Sequence, residues 1–266
     1  MNKSKIHVTV FSTGERTESL ALHGIKTLGF NNINLISGPS SFAEKFKVFV
    51  EHSHENIDKF DYFLRSDADE IIYDNVFNFI ETAIQNKEFL FAHGFFIDAF
   101  MKKPRGGGPK LFSKKAIIKM NQNIDLIKEC PKPESYYVKL MTGQKYPYFM
   151  TIYEATCLHE YLQHPSKVGN SFLNRLKRNH QHLYDITKLL SKDSLYRQSF
   201  EHAITIFKKG VNINNNSSKF IDMSMLDDIA YKRFPDTKRT IDVKDHKRLY
   251  DEFSEIFNKR KLEALK

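Results

Sequence analysis

Two cysteines in 266 residues, Cys130 and Cys157, leave no material for a disulfide framework and no metal-ligand spacing. They are expected as core or surface thiols of a reducing compartment. No apolar run approaches the roughly 18–20 residues of a membrane span. The start, MNKSKIHVTVF, leads straight into a strand instead of a secretory leader, so the expected address is cytoplasmic. Neither zinc spacing nor an RNA-binding signature accompanies the positive charge, so no nucleic acid is expected among the partners. A Walker loop is absent, since no glycine run ends in Gly-Lys-Ser/Thr. No internal repeat is visible.

What the chain does have is core-forming material: 41% hydrophobic residues, with 23 Phe and 12 Tyr. Its net charge of +9 is unevenly placed. Residues 1–170 hold 21 basic and 19 acidic groups, whereas residues 171–266 hold 20 and 13. The charge divides the chain near residue 170, into a nearly neutral part over 1–170 and a basic, mainly helical region over 171–266. That region could meet an anionic membrane face, or simply present lysine-rich solvated helices.

Along the first part, apolar runs alternate with amphipathic ones. Ile6–Phe11 reads as a strand, a loop at 12–16 leads into a helix near 18–28, and 33–37 reads as a second strand closed by Gly38-Pro39. Ser41 is placed to cap a helix with Phe42, Phe46, Phe49 and Val50 on one face. A third strand ends at Asp67, a helix covers about 76–86, and a strand covers 89–96. Such alternation with short loops is the pattern of a doubly wound, mostly parallel sheet. The loops after the first and third strands then lie side by side, which brings Thr13, Glu15 and Arg16 near Asp67.

The stretch 60–76, FDYFLRSDADEIIYDNV, carries the sharpest chemistry. An apolar strand stops at Arg65-Ser66-Asp67-Ala68-Asp69-Glu70, and α/β folds bind ligands at the carboxyl ends of their strands. Asp67 and Asp69 converge on one hard cation only if the chain turns there, and oxygen donors of this kind suit Mg²⁺ or Mn²⁺. By itself Asp-x-Asp is also what an acidic, solvated turn looks like. On this stretch and its α/β setting the sequence resembles the metal-dependent GT-A glycosyltransferases, whose D-x-D ends a central strand.

That resemblance, over roughly 6–168, implies a GT-A-like fold and a nucleotide-sugar donor bound through Mn²⁺ or Mg²⁺ at Asp67 and Asp69. Thr13, Glu15, Arg16 and Arg65 would lie along the nucleotide. The run 102–112, KKPRGGGPKLF, reads as a glycine loop, and the resemblance places Gly107 and Gly108 in the donor and acceptor cleft before a helix at 114–128. In 151–168, Thr151 and Glu154 form a capping-box pattern, and Ile152, Ala155, Leu158 and Leu162 recur at helical spacing. A short strand at 167–168 would follow. Glu154 at that helix start would be the catalytic base of an inverting enzyme, although the usual pair of acids is here Glu154-Ala155. His159 and His164 read as surface residues. His180 and His182, in Asn-His-Gln-His, are where such enzymes supply a further metal ligand.

The implied activity is transfer of a sugar from a nucleotide-sugar to a glycan or glycolipid acceptor, in surface polysaccharide or lipopolysaccharide assembly, with Asp69 and Glu154 central to catalysis. A sugar nucleotidyltransferase fits less well, because Ser-Thr-Gly-Glu-Arg after the first strand holds a single glycine. A haloacid dehalogenase phosphatase is disfavoured, since its acids end the first strand. The non-catalytic alternative makes the acidic turn structural and the basic helices an interaction surface.

Overall fold

The computed structural model describes residues 2–38, 41–99, 103–125, 134, 149–159, 163–177, 197–208, 224–233, 247, 248, 250, 251 and 255. The chain divides into two compact units, one formed by Met1–Glu160 with Lys244–Lys266 and the other by Tyr161–Val243.

The first unit is built on β1 (Ile6–Phe11), every residue of which is buried. An unbroken apolar and β-branched run of this kind belongs to a strand covered on both faces. β1 is flanked in parallel by β2 (Ile33–Ile36) and β3 (Tyr62–Asp67). The other strands are β4 (Glu70–Ile72), β5 (Phe91–Asp98), β6 (Lys103–Ser113) and β7 (Phe149–His159). All seven form one sheet in the order β2-β1-β3-β6-β5-β7-β4. β6 runs antiparallel to β3 and β5, β5 pairs in parallel with β7, and β4 is antiparallel to β7.

Helices cover both faces, as an α/β fold requires. Phe63 and Leu64 are successive residues of β3 and so point to opposite sides. Phe63 packs with Phe46, Phe49 and Val50 of α2 (Phe42–Glu55) and with Ala116, Ile117 and Met120 of α4 (Lys114–Asn121). Leu64 packs with Ile25 of α1 (Glu18–Thr27) and with Val76, Phe79 and Ile80 of α3 (Asn75–Gln85). The expected cap of α2 is present as a full capping box: Glu44 N–H donates to Ser41 Oγ at 3.2 Å, and Ser41 N–H donates to the Glu44 carboxylate at 2.6 Å. From the C-terminal part of the chain, Tyr250 stacks on Tyr73 at 3.7 Å, and its hydroxyl donates to Ala155 O at 2.5 Å.

The second unit contains α5 (Pro165–Lys177), α6 (Arg197–Lys208) and α7 (Ser224–Arg233). Phe172 of α5 meets Phe200 of α6 edge to face at 4.6 Å. Ser166 ties α5 to α7, its N–H and hydroxyl donating to the Asp227 carboxylate at 2.8 and 2.6 Å.

Three expectations are corrected. Where the sequence reads as a helix from Thr151 onward, 149–159 is the strand β7, buried from Ala155 through Leu158 and paired on both edges, with β5 and β4. The glycine loop at 102–112 is the strand β6, between β3 and β5. Residues 167 and 168 belong to α5 and form no strand. His180, His182 and Cys130 lie outside the described residues. Among the described residues no helix is long and apolar enough to cross a membrane.

Candidate functional site

β3 enters the sheet apolar and leaves it charged. Its last residues, Arg65-Ser66-Asp67, reach the end of the sheet beside the end of β1, where Phe11 and Asp67 are in register. Ala68 N–H donates to Phe11 O at 2.8 Å, and the buried Thr17 hydroxyl donates to Ala68 O at 2.8 Å. The loop after β1 is thus bonded to the middle residue of Asp67-Ala68-Asp69, as the parallel pairing leads one to expect.

That loop is knitted on its own acid. Thr13 N–H donates to the Glu15 carboxylate at 2.6 Å, and the Thr13 hydroxyl also binds it. Ser12 Oγ donates to the same group at 2.9 Å. Gly14 takes φ +83°, a conformation side-chain-bearing residues rarely adopt. Arg16 is half-buried in the same loop. Lys45 was not singled out from sequence, yet it is buried, and its ammonium donates to Ser12 O. A signal existed: on α2, position 45 shares a face with Phe42, Phe46 and Phe49, and a lysine on an apolar face needs a polar partner.

Among the described residues Arg65 is the largest fully buried side chain, 1% exposed. Its fork is divided, one terminal nitrogen on the Asp67 carboxylate and the other on Glu134. Its guanidinium carbon lies 4.8 and 5.1 Å from the ring centroids of Phe11 and Phe42. Burial works against its charge, but Asp67, then Glu134 and Glu70, outweigh it and hold the pKa above the ordinary arginine value. For Asp67 burial raises the pKa, and Arg65 followed by Lys110 brings it below the usual carboxylate range. Glu70 goes the opposite way. It is 2% exposed, and burial, then the neighbouring Asp67 charge, raises its pKa. Its carboxylate accepts from Ser66 Oγ at 2.8 Å and from Asp67 N–H at 3.0 Å, which closes the turn between β3 and β4.

That turn directs Asp69 toward the end of β7. His159 Nε2 lies 3.5 Å from an Asp69 carboxylate oxygen. His159 is opposite Glu70 in the antiparallel pair with β4 and opposite Asp98 in the parallel pair with β5. Its ring sits 4.5 Å from that of Phe96. Asp98 is fully buried and paired with Arg105 at 2.7 Å. Four strand ends therefore meet here: Asp67, Glu70, Asp98 and His159. His159 corrects the reading of a surface histidine; it was missed because a helix places position 159 away from the acids.

Glu154 is not at a helix start. It lies within β7, five residues before His159, on the order of 16 Å along an extended strand. Gly107 and Gly108 lie inside β6. Gly107 has φ +120°, and a Cβ on Gly108 would come within 3.1 Å of Phe95 O and Thr156 Oγ1. Gly108 therefore lets β6 pass close to its neighbours.

Asp69 with His159 offers a carboxylate oxygen and an imidazole nitrogen, a donor pair suited to Mn²⁺ and less to Mg²⁺. Among the described residues no three His, Cys, Asp or Glu side chains converge on one point. Cations of this kind commonly take one or two protein carboxylates and complete their shell with water and phosphate oxygens, so the pair fits such an ion.

No family model matches the chain, and no curated protein matches it. Solved structures do resemble it. A glycosyltransferase involved in glycosylation of the major capsid of PBCV-1 aligns at 13% identity over 59% of this chain and 95% of its own, with a TM-score of 0.41. A cytidylyltransferase from Leptospira borgpetersenii aligns at 14% identity over 82% of this chain and 99% of its own, also at 0.41. The 4-diphosphocytidyl-2C-methyl-D-erythritol synthase of Anaerococcus prevotii aligns at 9% identity over 57% and 88%, again at 0.41. Likenesses this distant carry no statement about activity.

Proposed function

We propose that the protein is a glycosyltransferase that takes a sugar from a nucleotide-sugar with the help of Mn²⁺ or Mg²⁺. The observation that carries this reading is the placement of Asp67-Ala68-Asp69 at the carboxyl end of a central strand. There Asp69 faces His159, and the loop after β1 is bonded to Ala68. A strand-end crevice with carboxylates is where α/β sheets take nucleotide ligands.

Asp69 and His159 would hold the cation, with Asp67 next to it. When bound, the cation supplies Lewis-acid stabilisation of the departing diphosphate. Arg65 keeps Asp67 charged and fixed in direction, so that the carboxylate is already oriented when ligand arrives. Thr13, Glu15 and Arg16, in the loop against Ala68, would line the nucleoside end. Glu154 is not assigned the acceptor base, because the helix start that suggested it does not exist. His180 and His182 are not needed as ligands in this reading, since His159 already supplies an imidazole. A glycan or glycolipid acceptor of surface polysaccharide or lipopolysaccharide assembly remains the proposed second substrate.

The test is release of nucleoside diphosphate from a panel of nucleotide-sugars, with Mn²⁺, Mg²⁺ or chelator. One donor turned over only with metal, and not by Asp69→Ala, supports the transferase. A folded protein that turns over and binds no donor in any condition refutes it.

A further inference from the structure

Three basic side chains form one row across the sheet beside Asp67. Arg65 of β3 is in register with Lys110 of β6, and Lys110 is in register with His93 of β5. Directly opposite residues on neighbouring strands share a face, so the three project to the same side. The Glu134 carboxylate meets two of them, Arg65 and Lys110, there. One oxygen binds a terminal nitrogen of Arg65, and the other lies 3.8 Å from the Lys110 ammonium. His93 senses the same group: burial first and Lys110 second lower its pKa to about 4, and Glu134 opposes them.

We propose that Arg65 and Lys110 form a phosphoryl subsite and that Glu134 is its internal occupant, exchanged for a phosphoryl group of the nucleotide when ligand binds. This deepens the transferase reading and rests on it for the identity of the ligand.

Asp67 alone already neutralises Arg65, through the other arm of the guanidinium. Glu134 therefore does not rescue a stranded cation; it is a further carboxylate placed between the two positive charges of Arg65 and Lys110. Both carboxylate oxygens are used, one on each cation, which is how a tetrahedral phosphoryl group would also bridge them. The contact with Lys110 is longer than a hydrogen bond, whereas a phosphoryl group with three oxygens could close it. Lys110 has a second anchor, since its ammonium donates to Gly107 O at 3.2 Å, so it stays in place when Glu134 leaves. Glu134 and Lys110 are each 14% exposed, so the position is open to exchange while Arg65 is not.

Competition between an internal carboxylate and a ligand lowers apparent affinity by the fraction of molecules in which the subsite is vacant. If Glu134 holds the subsite in about nine molecules of ten, removing its charge tightens binding about tenfold. The experiment is titration of the full chain, without metal, by inorganic pyrophosphate and by inorganic phosphate, for the native protein, Glu134→Gln and Lys110→Met. The expected result is pyrophosphate binding that tightens in Glu134→Gln and is lost in Lys110→Met. A stronger response to pyrophosphate than to phosphate assigns the subsite to a diphosphate; equal responses assign it to free phosphate.

Unchanged or weaker pyrophosphate binding by folded Glu134→Gln overturns the proposal and makes Glu134 a structural counter-ion. Should Glu134→Gln not fold, Lys110→Met decides alone, since pyrophosphate affinity equal to the native protein's sinks the subsite. Because pyrophosphate carries no nucleoside and the titration no metal, failure of the transferase reading leaves this result intact. That failure shows separately, as absence of nucleotide-sugar turnover.

Discussion

His159 Nε2 stands 3.5 Å from the carboxylate of Asp69, across the junction of β7 and the β3–β4 turn. A nucleoside diphosphate at about 100 times its Kd stabilises its binding state by about 2.7 kcal/mol. If a divalent cation links ligand and protein through this pair, His159→Ala removes most of the Mn²⁺-dependent part of that stabilisation. His180→Ala and His182→Ala leave it unchanged. Thermal unfolding of the three variants with nucleotide and Mn²⁺ checks the assignment, and a loss confined to the His180 or His182 variant would reverse it.

Arg65 connects stability to the site. Replacing it with Met leaves the Asp67 and Glu134 carboxylates beside a buried apolar side chain, and breaking a buried pair costs on the order of 3–5 kcal/mol. Chemical denaturation of Arg65→Met should show a loss of that size. A loss under about 1 kcal/mol would mean that solvent reaches these carboxylates freely.

The glycines of β6 separate packing from loop behaviour. A Cβ on Gly108 meets Phe95 O and Thr156 Oγ1 at 3.1 Å, whereas on Gly106 the nearest atom, on the Phe95 ring, is 3.9 Å away. Gly108→Ala should cost about 1–3 kcal/mol through overpacking. Gly106→Ala should be near neutral or stabilising by up to about 1 kcal/mol. Equal effects at both positions would contradict the close passage of β6 at Gly108.

His7 predicts an acid-side loss of stability away from the site. Burial, and secondarily His52, lowers its pKa from 6.5 to about 4. Its ring is packed 5.0 Å from that of Phe60. The unfolded chain therefore binds this proton more readily than the folded one. Stability falls as pH drops from about 6.5 to about 4 and levels off below, by on the order of 3 kcal/mol if this group acts alone. His7→Gln should flatten that part of the pH profile. A His7→Gln profile as steep as the native one over the same interval would exclude the assignment.

Much of the sheet was legible because its local signals agreed with its surroundings. Ile6–Phe11 reads as a buried strand and is one, and Ser41 with Glu44 reads as a capping box and forms one. Asp67 falls at the strand end that the apolar run before it announced. In the second half of the sheet the strand read at 89–96 is β5, but β6 and β7 were not legible as strands. In 149–159, Thr151 and Glu154 imitate a helix cap, and Ile152, Ala155 and Leu158 imitate a helical stripe. Their fate is decided by two partner strands, β5 and β4, that lie far away in the chain. Once 149–159 is a strand, Glu154 loses its helix start and His159 arrives beside Asp69. The glycines at 106–108 imitate a loop for a related reason. Their missing side chains answer the neighbouring strand β5 and Thr156 of β7, which no local pattern announces.

The most direct measurement is calorimetric titration of the protein with nucleoside diphosphates, with Mn²⁺ and with chelator, for the native chain and Asp69→Ala. The account predicts that one nucleotide binds the native protein far more tightly with Mn²⁺ than without, and that Asp69→Ala loses the metal-dependent increment while remaining folded. Tight binding that is indifferent to both Mn²⁺ and Asp69, or no binding of any nucleotide by folded protein, would contradict it.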